Sequence, residues 1–296
     1  MTDTTSGKGA EPLVLRKGKL LILSVSMTFL GGCTLTSSLA KEAVLSLTER
    51  EGRERFTLAG ELPAHFSIQA TAYFSPDNPE RCQVYSIGQG EEVTRELITQ
   101  YTTTYHDHPA DFSLAIPLTY HIGLCNGTLQ QVALLIRGRY GEQSWQHHAG
   151  HGGLAIVDSR PEQAPSFDSD GTLTVRGYCT WLFQLSKARA WSGQISKLLS
   201  CSEPDEHWQL DPDFAKRRSV GAVLGRDELA GKTVRLDLRV NPEETPAYRN
   251  TWIKFPEGWK PCLPREGGWI SCQSPPVFKT FKMGDQECTV YPKCKE

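Results

Sequence analysis

From about residue 42 onward the chain is built of short alternations of apolar and polar residues. In the run Phe66–Phe74, the side chains of Phe66, Ile68, Ala70 and Ala72 fall on one face of a strand and Ser67, Gln69 and Thr71 on the other. Similar runs occupy 43–49, 55–61, 82–88, 111–120, 131–140 and 154–158, divided by Gly, Pro, Asp or Asn. About seven such runs in some 115 residues predict an immunoglobulin-like β-sandwich over 42–157. The stretch 91–101 is open between two readings. Val93, Leu97, Ile98 and Tyr101 fit a helical face, while the threonines that follow favour a strand.

The second half reads as mixed but β-dominated. Runs at 172–178, 180–186, 195–201, 232–240 and 252–255 read as strands. The cleanest places Val234, Leu236, Leu238 and Val240 inward and Arg235, Asp237 and Arg239 outward. Short helices are predicted at 211–218, where Asp211 would cap and Pro212 would follow, and at 225–232, ending at Gly231. The tail holds Trp252, Trp259, Trp269, many prolines and four cysteines, the composition of irregular loops held by disulfides. Between the halves, 158–171 is rich in Pro, Ser and Asp without an apolar period and reads as a linker. The predicted fold class is thus mainly β: a sandwich domain at 42–157 and a disulfide-rich domain with short helices at 172–296.

The N-terminus has a different pattern. Arg16, Lys17 and Lys19 precede an apolar run from Leu20 to Leu30, interrupted by Ser24, Ser26 and Thr28. A spanning helix needs roughly 20 apolar residues, so this run is short, and the charge–apolar–small order reads as a secretory signal. Residues 1–32 are therefore assigned as a signal peptide with a polar N-terminal extension. The last four residues before the break, Leu30-Gly31-Gly32-Cys33, resemble the bacterial lipobox, Leu-x-Gly-Cys. That resemblance implies cleavage before Cys33, with lipid on its sulfur and an acyl chain on its new amine. Residues 33–41 would then form a lipidated tether. Thr34 after the cysteine is similar to an outer-membrane address, so the expected location is lipid-anchored in the envelope, facing the periplasm.

Charge and cysteines fit that compartment. The chain holds 32 basic and 34 acidic side chains. Without the four basic and two acidic ones in 1–32, the formal charge goes from −2 to −4. Such a balance offers no basic surface for nucleic acid. Besides Cys33 there are eight cysteines, Cys82, Cys125, Cys179, Cys201, Cys262, Cys272, Cys288 and Cys294, an even number that reads as four disulfides in an exported protein. If the halves fold separately, Cys82 pairs with Cys125. Proximity favours Cys179–Cys201, Cys262–Cys272 and Cys288–Cys294, and the rival arrangement crosses the last four as Cys272–Cys288 and Cys262–Cys294. No Cys-x-x-Cys pair is present to favour zinc.

A search for chemistry finds no nucleophile elbow, P-loop or metalloprotease helix. Histidine is the one cluster, with His106 and His108 close together and His147, His148 and His151 close together. On a strand, His106 and His108 would point to one face as a copper or zinc site requires; the alternative is a polar, solvated edge. The sequence Asp168-Ser169-Asp170-Gly171 matches part of a calcium loop but lacks the later oxygen ligands, so it reads as a turn. The adjacent pairs Glu91/Glu92 and Glu243/Glu244 read as solvated surface. No catalytic residue, metal ligand or cofactor is assigned.

Segments 176–186, 229–240 and 258–262, taken with the lipobox and the Cys-rich tail, are similar to certain periplasmic lipoproteins of pseudomonad-type bacteria. Some of these are immunity proteins encoded beside type VI secretion lipase or phospholipase effectors. The resemblance implies a membrane-tethered, non-enzymatic inhibitor whose partner is a secreted (phospho)lipase. Trp and Arg are favoured interface anchors, which singles out Trp191, Arg217, Arg218 and Trp269, all in segments that read as turns. The alternatives are an outer-membrane assembly lipoprotein and a histidine-dependent metal-binding envelope protein.

Overall fold

The longest alternating run, Cys125–Arg139, is the central strand of the larger sheet in a computed structural model, which describes residues 48–185, 193–247, 251–268 and 271–294. Strands among these residues are numbered β1–β19 in chain order. The larger sheet contains β1 (Arg50–Glu51), β3 (Phe66–Pro76), β6 (Leu97–Thr102), β8 (Thr119–Ile122), β9 (Cys125–Arg139), β10 (His147–Val157) and β13 (Val220–Gly225). β3 flanks one side of β9, with β6 beyond it. On the other side, β8 and then β1 cover the start of β9, while β10 and then β13 cover the rest.

The second sheet runs β7 (Ala110–Pro117), β2 (Arg55–Leu62), β14 (Thr233–Val240), β11 (Thr172–Leu185), β12 (Ile195–Ser202). β15 (Thr245–Pro246) joins β11 beyond the end of β14. Three hairpins complete the set: β4 (Gln83–Ser86) with β5 (Glu91–Thr94), β16 (Trp252–Phe255) with β17 (Gly258–Pro261), and β18 (Phe281–Met283) with β19 (Gln286–Cys288). The open stretch 91–101 is therefore strand, β5 and the start of β6.

The mainly β class and the sandwich layering follow from the alternation. Ile68, Ala70, Val132, Leu134 and Leu154 of the first sheet share one buried cluster with Phe56, Leu58, Val175, Val234 and Leu236 of the second. Each of the larger side chains among them contributes about 1.5–3 kcal/mol on burial. The strand at 233–240 is oriented as read: Val234, Leu236 and Leu238 are buried, Arg235 and Arg239 exposed.

The domain boundaries differ from the reading at 42–157 and 172–296. The described residues, from 48 to 294, belong to one compact unit. Segment 158–171 joins β10 of one sheet to β11 of the other and separates no domains. β14 lies parallel to β2, pairing Thr233 with Thr57 and Leu236 with Gly60, and β13 lies parallel to β10. Strands from both halves thus complete both sheets. Gly60 makes the β2–β14 approach possible, since a Cβ there would lie 2.2 Å from the Leu236 carbonyl oxygen. Parallel strands need long crossovers, and pairing across such a separation leaves no local mark in a sequence.

The short helices also differ. Segment 211–218 holds a single 3₁₀ turn, Phe214–Lys216, capped by Asp213 rather than Asp211. Segment 225–232 is a turn that closes at Gly231, whose φ is +71°. The tail is more regular than its composition implies. Its two hairpins pack a satellite core of Trp252, Phe281, Cys288 and Tyr291 against Phe183 of β11 and Ile195 of β12. The Phe183 ring lies 4.1 Å from that of Tyr291 and 4.9 Å from that of Trp252.

All four cysteine pairs follow proximity: Cys82–Cys125, Cys179–Cys201, Cys262–Cys272 and Cys288–Cys294. The second joins directly opposed residues of β11 and β12. Among the described residues, no helix is long and apolar enough to cross a membrane.

Candidate functional site

The sequence-predicted residues meet different fates. Cys33, Trp191 and Trp269 lie outside the described residues. Arg217 and Arg218 are adjacent, yet they line different concavities. Arg218 pairs with Glu203 at 3.2 Å beside an open depression of about 550 Å³ over Gly153, Ala155, Gly221 and Val223 of β10 and β13. Arg217 belongs to a second surface, on the outer face of β11.

That surface arises from the strand period. Alternate residues of β11 face the core, which leaves Tyr178, Thr180 and Leu182 pointing away from the sandwich. The segment 203–219 between β12 and β13 folds over them. Its acidic residues hold its shape: Asp205 Oδ1 accepts from the backbone N–H of His207 and Gln209, and Asp211 Oδ1 from that of Asp213. Glu203 N–H donates to the Arg218 carbonyl and closes the neck of the loop. Arg217 Nε donates to the Asp211 carbonyl at 2.8 Å, and its guanidinium lies 5.2 Å from the Phe214 ring.

Trp208 sits in this loop with its backbone in the left-handed region, φ +62°. The Arg239 guanidinium sits 3.7 Å from its ring centroid, Arg176 lies 5.9 Å away, and the Tyr178 ring meets it edge-on at 6.2 Å. Such cation–ring contacts contribute about 0.5–2 kcal/mol. They fix the indole against the two outward arginines of β11 and β14.

Two adjoining cavities result. One, about 230 Å³, is lined by Tyr178, Thr180, Trp208, Arg217 and Asn241 among others. The next, about 300 Å³, is more apolar, with Leu182, Pro212, Phe214, Pro246 and Ala247. Arg217 and Thr245 line both. Thr180 is 4% exposed, and its buried Oγ1 meets no hydrogen-bond partner among the described residues. Phe214, by contrast, is 62% exposed at the rim.

The histidines do not assemble into one site. His106 and His108 follow β6 in a loop, not a strand, with rings 5.5 Å apart. His108 Nδ1 lies 2.6 Å from Asp107 Oδ1, a hydrogen bond that holds the Asp107 carboxyl below its usual range. His147, His148 and His151 lie along β10, with His147 5.7 Å from the Tyr105 ring. Burial lowers the His148 pKa. Among the described residues, no group of three or more His, Cys, Asp or Glu side chains is placed to hold a metal ion. The turn at 168–171 is local: Gly171 N–H donates to the Asp168 carbonyl, and Asp170 Oδ1 accepts from Thr172 N–H.

Sequence reasoning missed the β11 face and the role of Glu244. Tyr178, Thr180 and Leu182 are uncharged outward positions on a strand whose earlier outward positions are Thr174 and Arg176, a signal that something covers them. Glu244, read as solvated surface, is half-buried. It pairs with Lys197 at 2.6 Å and accepts a hydrogen bond from the Tyr291 hydroxyl, tying the tail to β12. Glu91 and Glu92 are exposed as read.

Comparison with protein-family models, curated proteins and solved structures yields no match to the chain.

Proposed function

We propose that this is a lipid-tethered envelope protein that inhibits another protein by stoichiometric binding, as an immunity protein against a type VI secretion lipase or phospholipase toxin. The observation that carries the binding reading is the segment 203–219. It places an exposed phenylalanine and Arg217 beside two cavities, on a sandwich stapled by disulfides. Rigid scaffolds commonly act through such loops. Aromatic and arginine side chains beside pockets are the usual anchors of an interface on the order of 800 Å² per side. The envelope reading is supported by Leu30-Gly31-Gly32-Cys33 and by the four cystines, which persist in oxidising compartments. Tethering would raise the inhibitor's effective concentration at the membrane that the toxin attacks.

The test is periplasmic expression of the toxin encoded beside this protein, with and without it. Protection should survive single substitutions of His106, His108, His147, His148 and His151 and fail with Phe214→Ala/Arg217→Ala. Loss of protection through a histidine alone would refute the reading in favour of a metal-dependent envelope protein. Palmitate labelling that persists in Cys33→Ala would refute the lipid anchor.

A further inference from the structure

We infer that the free edge of β13 accepts an extended, uncharged segment of a partner protein as an added strand, laid in the depression over β10 and β13. The inference rests on the protein-binding reading above and specifies how the partner is held.

The backbone of β13 carries the argument. This strand ends the larger sheet and pairs with β10 over all six residues, Val220–Gly225, without a bulge. In a parallel ladder alternate residues bond the neighbouring strand, so every second residue turns its N–H and C=O away from β10. Among the described residues, no hydrogen bond reaches those groups. Gly221, Ala222 and Val223 are partly exposed, so this row of donors and acceptors opens to solvent. Unpaired strand backbone specifies its own ligand, because another extended chain matches it at every second residue.

The edge also lacks the features that keep strands apart. Edge strands are commonly blunted by charge, proline or a bulge. β7 and β12, which end the second sheet, carry Asp111 and Lys197. β13 and β6 carry neither charge nor proline, and of these two β13 lines the open depression of about 550 Å³.

The depression sets the chemistry of the occupant. Gly153 and Gly221, paired across the two strands, present no side chain to it, and Ala155 and Val223 beside them present small apolar ones. The two ionised side chains among the described lining residues, Glu203 and Arg218, pair with each other at 3.2 Å. An incoming strand therefore meets no unpaired charge, which favours an uncharged segment. Glu203 and Arg218 are also the neck of the loop 203–219, so a strand on β13 continues from the surface proposed to hold the partner.

The experiment titrates the full chain against a fluorescein-labelled peptide, Ser-Val-Thr-Val-Thr-Val-Ser, made in two backbone-methylated versions and followed by fluorescence anisotropy. One version is N-methylated at its valines, which blocks one edge of the strand. The other is N-methylated at every residue, which blocks both. An added strand needs only one edge, so the first should bind at least about tenfold more tightly than the second. Its binding should slow deuterium exchange of the amides in 220–225 severalfold. Val223→Lys, which places a charge on the edge, should weaken that binding about tenfold. If this variant does not fold, the two peptides on the wild-type chain still decide. Equal affinity of the two versions, no binding at millimolar peptide, unchanged exchange, or unchanged affinity in folded Val223→Lys would overturn the proposal. So would a wild-type chain that sediments as a dimer and becomes a monomer on Val223→Lys, because the edge would then belong to a second copy. The cognate toxin separates the two levels of the reading. A toxin bound equally by wild type and Val223→Lys sinks the edge site alone. A peptide that behaves as described while no toxin binds sinks the immunity reading alone.

Discussion

Removing the cystines one at a time should order them by the loops they close. Cross-linking lowers the entropy of the unfolded chain in proportion to the logarithm of loop length. The sequence separations are 43 for Cys82–Cys125, 22 for Cys179–Cys201, 10 for Cys262–Cys272 and 6 for Cys288–Cys294. At 25 °C the chain-entropy relation then assigns about 4, 3.4, 2.7 and 2.2 kcal/mol respectively. Packing acts in the same direction. Both cysteines of each sandwich bridge are buried in the main cluster, whereas only Cys262 and Cys288 of the tail bridges are buried. A sandwich pair replaced by alanine therefore leaves more unfilled volume as well as a longer free loop. The assay is urea unfolding of the four double Cys→Ala variants, followed by far-ultraviolet circular dichroism and extrapolated to water. The reasoning is refuted if loss of Cys288–Cys294 costs as much as loss of Cys82–Cys125.

Three other substitutions probe single groups. Thr180→Val removes a buried hydroxyl without a partner, whose burial costs about 1–3 kcal/mol, so it should raise stability by about 1 kcal/mol and Tm by about 2–4 °C; calorimetry showing a loss would mean that the hydroxyl is satisfied in solution. His148 is held below the ordinary histidine pKa, chiefly by burial, so its neutral form is favoured by folding. Its contribution is present above about pH 6.5 and falls away as the pH drops through that value toward the folded pKa. NMR titration should place His148 below the usual value, and His148→Gln should flatten the stability profile between about pH 7.5 and 5.5; titration at or above 6.5 would contradict this. At the alkaline end, Tyr101 and Tyr120 are pushed up to about 12, first by burial and then by Glu51 and Glu49 respectively. The unfolded chain loses those protons near pH 10, so stability should decline from about pH 10 to 12, and Tyr101→Phe should reduce that slope in urea titrations.

The local pattern by itself determined the β class, the inward faces of strands such as 66–74 and 233–240 and the turn at 168–171, and it favoured the cysteine pairs found while leaving the last four open to crossing. Each rests on neighbours in sequence: a period of two, a turn composition, or cysteines close along the chain. Tertiary structure alone decided that 158–171 is no domain boundary. β2 and β14 pair in parallel although most of the chain lies between them, and only the approach at Gly60 reveals why they fit. Arg217 and Arg218 were legible as candidate anchors, but not that Arg217 is half-buried while Arg218 is exposed, nor their division between two concavities. Of the site on β11, only Arg217 was legible. The site's lining comes from 178–182, 208–217 and 241–247, and these segments meet because sheet pairing seats β15 beside β11 and the loop 203–219 folds over both. Alternation tells which side of a strand a residue faces, because that is a local property of extended backbone. What covers that side depends on which distant segment can bury it with its hydrogen bonds satisfied, and that is decided only when the whole chain is folded.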